Sequence, residues 1–358
     1  MNYQITFAHA VKLLDAINEP YAVIPLQNDI CIILMQHGGR VLGPFLAEQA
    51  ESIYWLSAAW ESADTFSAFL ESGEWNVGGE RVWIAPEVQY VVQDRAQFME
   101  SMVLPTAMDP GDYALSHPAE NQWRVRQQAV LQAFNLASGS KALDVDVTVR
   151  PMPDPLRAVA AYDTLLDGVR YAGYEQAITL TEHQTDAIMS ESWNLIQLNP
   201  GGQLFIPCAP EAQITDYERG DVPAEARTVR DGHVRISITG QSVFKVGFKA
   251  AHVMGRSAYL NMLTDGTPYL LVRAFTNNPS SVYIEEPESQ IGNNGHSVHI
   301  YNDSGDIGGF GELECNGQTI GGNTGLSSAT DHFQLWLYVG AVEKLHAIAS
   351  HLLGVDIA

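Results

Sequence analysis

Phe333 to Val339 alternates without a break: Phe333, Leu335, Leu337 and Val339 fall on one side, and Gln334, Trp336 and Tyr338 on the other. A period of two marks a strand with one face in a core. Similar short runs recur at Tyr21–Pro25, Ile30–Met35, Ser192–Leu198, Gln203–Pro207, Val243–Phe248, Tyr259–Leu263 and Tyr269–Phe275. Alternation also runs through Ala129–Thr148, and Tyr174–Met189 reads as extended. Gly, Pro, Asn and Asp punctuate these runs. Thr264-Asp265-Gly266 predicts a hairpin, and Asn199-Pro200-Gly201-Gly202 predicts a hairpin-like strand–turn–strand. Helical spacing is confined to Thr6–Ile17, Glu61–Ser72, a short piece at Arg157–Leu166, and Ala341–Leu353. Nothing alternates strand with helix in a βαβ rhythm. The chain therefore reads as mostly antiparallel β, with a few short helices that include a C-terminal one. A single large sandwich spanning residues 1–358 fits the length.

One stretch carries the densest chemistry. His296 to Gly317 reads as two strands, His296–Tyr301 and Phe310–Asn316, joined by a loop of Gly, Asp and Asn. Residues two apart on a strand share a face about 7 Å apart. Phe310, Glu312 and Glu314 therefore point one way, and Leu313 and Cys315 point the other, toward the core. Two carboxylates that close raise each other's proton affinity, so one can titrate near neutrality and serve as a general base. The plainer alternative for this hairpin alone is a solvated edge with two acidic gatekeepers.

Charge narrows the partners. Lys and Arg total 19 against 42 Asp and Glu, a formal net charge of −23. Such a surface repels phosphate backbones and anionic membranes, which argues against nucleic-acid and membrane binding. It suits a neutral or cationic small molecule. Cys31, Cys208 and Cys315 are far apart, each in an apolar run, so neither a disulfide framework nor a Cys-based zinc site is expected. The N-terminus lacks a basic segment leading into an unbroken apolar run, and the expectation is a cytoplasmic monomer or homodimer.

In a chain this poor in cations, basic residues inside strands stand out. Arg81 and Trp83 share a face within Trp75–Glu87; Lys245 and Lys249 share another; Arg273 lies on a third. Together with His299, Tyr301, Glu312, Glu314, Trp336 and Tyr338, they would make a wall suited to a polyhydroxylated ligand. Rings cover apolar sugar faces and charged groups bind hydroxyls. The competing arrangement puts these faces on different sheets. Other chemistries lack their motifs: there is no GxSxG, HExxH or Walker sequence. His296 and His299, three apart on a strand, face opposite ways, which weakens a metal reading. No metal or cofactor is indicated. His252 is a lone candidate acid.

Several segments in order resemble the galactose mutarotase-like (aldose 1-epimerase-like) superfamily, and its uncharacterised bacterial branches above all. They are Gly38-Gly39-Arg40-Val41; Gly78-Gly79-Glu80-Arg81-Val82-Trp83 running on to Glu87; Trp193 to Leu198 with Pro200-Gly201-Gly202; Phe205-Ile206-Pro207; Lys245-Val246-Gly247; Tyr301-Asn302-Asp303; and Phe310 to Glu314. The resemblance implies a β-supersandwich with a sugar site on a concave sheet. It implies a late-strand Glu that deprotonates the anomeric hydroxyl, matched by Glu312 or Glu314, and an early Arg that holds hydroxyls, matched by Arg81 with Arg40 as the alternative. Asn76, Trp83, Trp193, Lys245, Arg273, Tyr301 and Trp336 are the further substrate-binding candidates. The family's His-containing mid-chain segment is replaced by Ser192-Trp193-Asn194-Leu195-Ile196, which leaves His252, His299 or Lys245 as the general acid. Without an acid, the protein would only bind sugar. A polysaccharide lyase or hydrolase ranks last, because a uronate polymer would be repelled by the charge.

Overall fold

The computed structural model describes residues 5–217 and 222–357. Two sheets of ten strands each pack face to face, and every described strand pairing is antiparallel. The first sheet runs in the order Tyr21–Pro25, Cys31–Met35, Val41–Phe45, Glu80–Ala85, Met189–Leu198, Gly311–Asn316, His296–Asn302, Phe244–Lys249 and Ile214–Asp216, and the short Ile320–Gly321 pairs with Met189–Leu198 off this path. The second is centred on Arg256–Met262, Pro268–Phe275, Ser328–Val339, Arg170–Glu182 and Gly139–Pro151. Between them lies an apolar core fed by alternate residues of both. Val82, Ile196, Leu313, Cys315, Ile300 and Val246 come from the first sheet, and Leu271, Phe333, Leu335, Leu337, Ile178 and Val147 from the second.

The helices cover outer faces. Phe7–Ile17 begins at Thr6, whose hydroxyl accepts from the His9 N–H, and ends at Asn18 in the left-handed region. It packs with Ala63–Glu71 over Ile33, Met35, Leu42 and Phe45. The C-terminal helix, Val342–Leu353, lies on the outer face of the second sheet, with Leu345, Ile348 and Leu352 against Leu270, Val272, Trp336 and Tyr338. Among the described residues, no helix is long and apolar enough to cross a membrane.

Several expectations are corrected. The alternation of Ser328–Val339 is right, but the Trp336 side of the strand does not face a ligand. It is covered by the C-terminal helix, which leaves Trp336 4% exposed with Arg256 over its ring. Asn199–Gly202 does not close a hairpin. Met189–Leu198 belongs to the first sheet and Gln203–Pro207 to the second, so the turn is a crossover. The Gly202 N–H donates to the Tyr259 hydroxyl, and a Cβ at Gly202 would come within 2.4 Å of that ring. The Arg157–Leu166 piece is two single turns, Pro155–Ala158 and Tyr162–Leu165. The extended reading of Tyr174–Met189 breaks after Glu182, and the next strand starts at Met189.

Arg273 is also not at a ligand wall. Its guanidinium crosses the core to the Glu80 carboxylate and the Asn194 side-chain oxygen, and Glu80 also accepts from Tyr174. Arg273 and Glu80 are 1% and 0% exposed. A charge that deep is tolerated only when paired. Removing one partner strands the other, so Arg273→Met is expected to destabilise the fold by about 3–5 kcal/mol. The double variant Glu80→Gln/Arg273→Met should recover much of that loss. Urea denaturation of the three proteins measures it, and an unchanged midpoint for R273M would remove the pair's structural role.

Candidate functional site

Five neighbouring strands of the first sheet build one wall. In register, Arg81 lies opposite Leu195, Leu195 opposite Glu314, Glu314 opposite His299, and His299 opposite Gly247. One step along, Gln197, Glu312, Tyr301 and Lys245 form a second row. Trp83 and Trp193 pair at the other side. Alternation places all of these on the face away from the second sheet. The opposite wall comes from connecting segments, chiefly Glu87 to Leu104 and Glu285 to Glu288. The cleft between them measures about 790 Å³, enough for a ligand of one or two sugar rings.

Aromatic rings line one end. Trp75 and Trp83 meet edge to face at 5.2 Å, and Trp83 meets Trp193 at 5.7 Å. The Arg81 guanidinium carbon sits 4.2 Å from the Trp83 ring centre and 5.0 Å from that of Trp75. Its Nη2 reaches Glu312 Oε1 at 2.8 Å. Lys245 marks the other end. Its Nζ lies 4.8 Å over Trp193, 3.4 Å from Glu314 Oε2 and 3.2 Å from Glu87 Oε2. The Trp193 indole N–H donates to Glu314 Oε2 at 3.1 Å. The Glu87 backbone N–H donates to Glu285.

Burial sets the proton affinities. The Glu314 carboxyl is pushed up to about 7, chiefly by loss of water; Lys245 opposes this while Glu312 and Glu87 add to it. Glu285 is pushed up to about 8 by burial and by Glu87, against the pull of Lys245. Glu191 sits deeper on the same strand face as Trp193, accepting from Ile284 N, Thr319 Oγ1 and Asn316 Nδ2, and burial raises it to about 7.

Of the residues singled out in the sequence, Arg81, Trp83, Trp193, Lys245, Tyr301, Glu312 and Glu314 line this cavity together. Others do not. His299 is on the right face but fully buried, with the Tyr217 ring 4.8 Å away, edge-on, over it. Burial and nearby Lys245 keep it neutral well below the usual imidazole range. Gly247 makes this cover possible, since a Cβ there would come within 2.4 Å of Tyr217. His252 sits in the single turn Ala250–His252 that leaves the Lys245 strand, outside the cavity. Arg40 lies behind the tryptophans, bound to Asp109 at 2.5 Å and to the carbonyls of Trp75 and Gly78. That aspartate also receives the Trp83 indole N–H, so Arg40 orients the wall without reaching a ligand. Asn76 holds the rim, donating to the Ile307 carbonyl and accepting from Gln197. Among the described residues, no three His, Cys, Asp or Glu are grouped to hold a metal ion.

The sequence reading missed Glu285 and Glu286. Their signal is two acids between apolar Val282-Tyr283-Ile284 and Pro287, and it does not reveal that the segment folds over a sheet. It also assigned no role to Trp75, Glu87 or Tyr217.

Comparison with known proteins adds the family. A family of unknown function, DUF6786, matches residues 5–358. The chain belongs to this family. No curated protein matches it in sequence. Among solved structures, it is similar to a candidate aldose 1-epimerase from Escherichia coli K12, at 11% identity and a TM-score of 0.49, covering 89% of this chain and 99% of the other. It is also similar to the Slr1438 protein from Synechocystis sp. PCC 6803, at 14% identity and a TM-score of 0.47, covering 90% and 95%. A third likeness is to the GalM/aldose epimerase homologue from C. elegans, at 8% identity and a TM-score of 0.42, covering 90% and 99%.

For this DUF6786 member, the raised carboxyls carry a pH signature. Glu191 ionises from an ordinary value of 4.5 when unfolded but only near 7 when folded. Its contribution to stability is therefore full below about 4.5 and is lost as pH rises through about 7. Glu191→Gln should gain stability relative to the wild type across that window, measured by urea midpoints at stepped pH. A difference that does not vary with pH would refute the assignment.

Proposed function

We propose that this protein is a carbohydrate-active isomerase of the aldose 1-epimerase type, acting on a free sugar in the cavity above the first sheet. The observation that carries the reading is the setting of Glu314. It is a buried carboxyl poised near neutrality, bonded to the Trp193 indole and 3.4 Å from Lys245, on the same wall as Arg81 and Trp83. A base is most useful when its proton affinity matches the working pH. Glu312 is tied to Arg81 and so serves hydroxyl binding with it. Glu314 takes the proton of the anomeric hydroxyl as the ring opens. Lys245 gives a proton to the ring oxygen and recovers one on reclosure from either face. This differs from the pattern implied by the sequence resemblance, in which a His is the acid, because no His among the described residues lines the cavity.

That same absence supports a second reading, a sugar-binding protein without turnover. The two part on one measurement. Saturation-transfer NMR with freshly dissolved α-aldoses should show anomer exchange above the buffer rate, and Glu314→Gln should slow it by roughly 100-fold or more. Lys245→Met should slow it similarly. Binding of sugars with no acceleration for any common aldose would leave the binding protein as the function.

A further inference from the structure

The cavity is short of positive charge in one place. Glu286 is answered by Arg95, and Glu312 by Arg81. Among the described residues, Glu87, Glu285 and Glu314 are left around the ammonium of Lys245, which lies 3.2 Å from Glu87 and 3.4 Å from Glu314. Glu285 faces the same pair, accepting the Glu87 N–H and sensing both Glu87 and Lys245. Glu100 also lines the cavity. No grouping of these side chains suits a metal ion.

The opposite end asks for something else. Arg81 is 2% exposed and lines the cavity, yet its Nε and Nη1 make no hydrogen bond within the protein. Both are donors that need acceptors such as hydroxyl oxygens. Of the indoles beside them, Trp83 and Trp193 are covered by Arg81 and Lys245, and the half-buried Trp75 is the one left to meet a ring. A ligand filling both ends carries a hydroxylated ring and a cation.

We propose that the cavity takes an amino sugar, an aldose with a free primary amine, whose ammonium supplies the second cation among Glu87, Glu285 and Glu314. This rests on the sugar-site reading and narrows its ligand. Sugar phosphates and uronates are disfavoured, because each would add an anion to an acidic cavity. Burial first, and the neighbouring acids after it, raise the proton affinities of Glu285 and Glu314, so each holds a proton that a bound ammonium would displace. Binding an ammonium therefore expels protons, and binding a neutral sugar does not.

Isothermal titration of the full chain at about pH 6.5, in buffers of differing ionisation heat, tests this. The probes are glucosamine, galactosamine, N-acetylglucosamine, glucose, galactose, glucose 6-phosphate and glucuronate. A charged hydrogen-bonded pair is expected to favour a hexosamine roughly 10-fold or more over its N-acetyl form and its parent aldose. Proton release should accompany the hexosamine alone. Glu285→Gln should weaken the hexosamine by a larger factor than it weakens glucose. Equal affinity for amine and N-acetyl forms, or preference for the phosphate or the uronate, overturns the inference and leaves the sugar site standing. Failure of every sugar to bind overturns both.

Discussion

The wall of the cavity depends on an ion pair that no ligand touches. Glu80 points into the core to Arg273, and its neighbour Arg81 must then point out, because side chains on a strand alternate. The same guanidinium holds Asn194, which sends Trp193 and Leu195 outward on the next strand. A slip of one residue would bury Arg81 and Trp83 and strand Glu80 in the cavity. Apolar alternation alone would specify this register. The buried pair adds a large penalty for the wrong one, since each partner would lose its counter-ion inside the core. Polar contacts between the sheets thus fix which side chains reach the cavity.

The cavity's electrostatics follow from the same geometry. Sheet neighbours lie about 5 Å apart, so long charged side chains reach one another even across an intervening strand. Arg81 and Glu312 are diagonal neighbours across the Leu195 strand, and Lys245 and Glu314 across the Tyr301 strand. A rigid sheet holds these contacts in place before any ligand arrives, which is what makes a charged wall useful in binding or catalysis. The facing acids come from a connection, Glu285 to Glu288, clamped by Arg95 through Glu286 and the carbonyls of Pro287 and Glu288. The acid-rich half of the cavity is therefore itself pinned.

Face was legible in the sequence, while layer was not. Alternation correctly separates Glu312 and Glu314 from Leu313 and Cys315, and Arg81 and Trp83 from Val82 and Ile84. The three main helices were legible from spacing: Thr6–Ile17, Glu61–Ser72 and Ala341–Leu353 enclose the observed Phe7–Ile17, Ala63–Glu71 and Val342–Leu353. Alternation says nothing about what lies above a face. Arg273 and Trp336 show period-two patterns as clear as those of Arg81 and Trp83, yet one faces the core and the other a helix. The crossover at Asn199–Gly202 escaped for a related reason. Pro-Gly-Gly specifies a tight change of direction, but the partners that capture each strand are distant in sequence: Trp193 pairs with Trp83 and Asn316, and Phe205 with Ala258 and Arg235.

His299 shows how a correct register can still mislead. It stands directly opposite Glu314 on the neighbouring strand, where an acid partner would be sought. Gly247, one strand further, has no side chain, so Tyr217 settles into that space and covers the imidazole. Covered and close to Lys245, the ring stays neutral and does not line the cavity. The titratable side chains that share the cavity with Glu314 include Lys245, Glu87 and Glu285. Glu314 is held by the sheet, and its protonation depends on how Lys245 divides its charge among the neighbouring acids. That division changes with whatever enters the cavity, which ties the choice of ligand to the protonation of the wall.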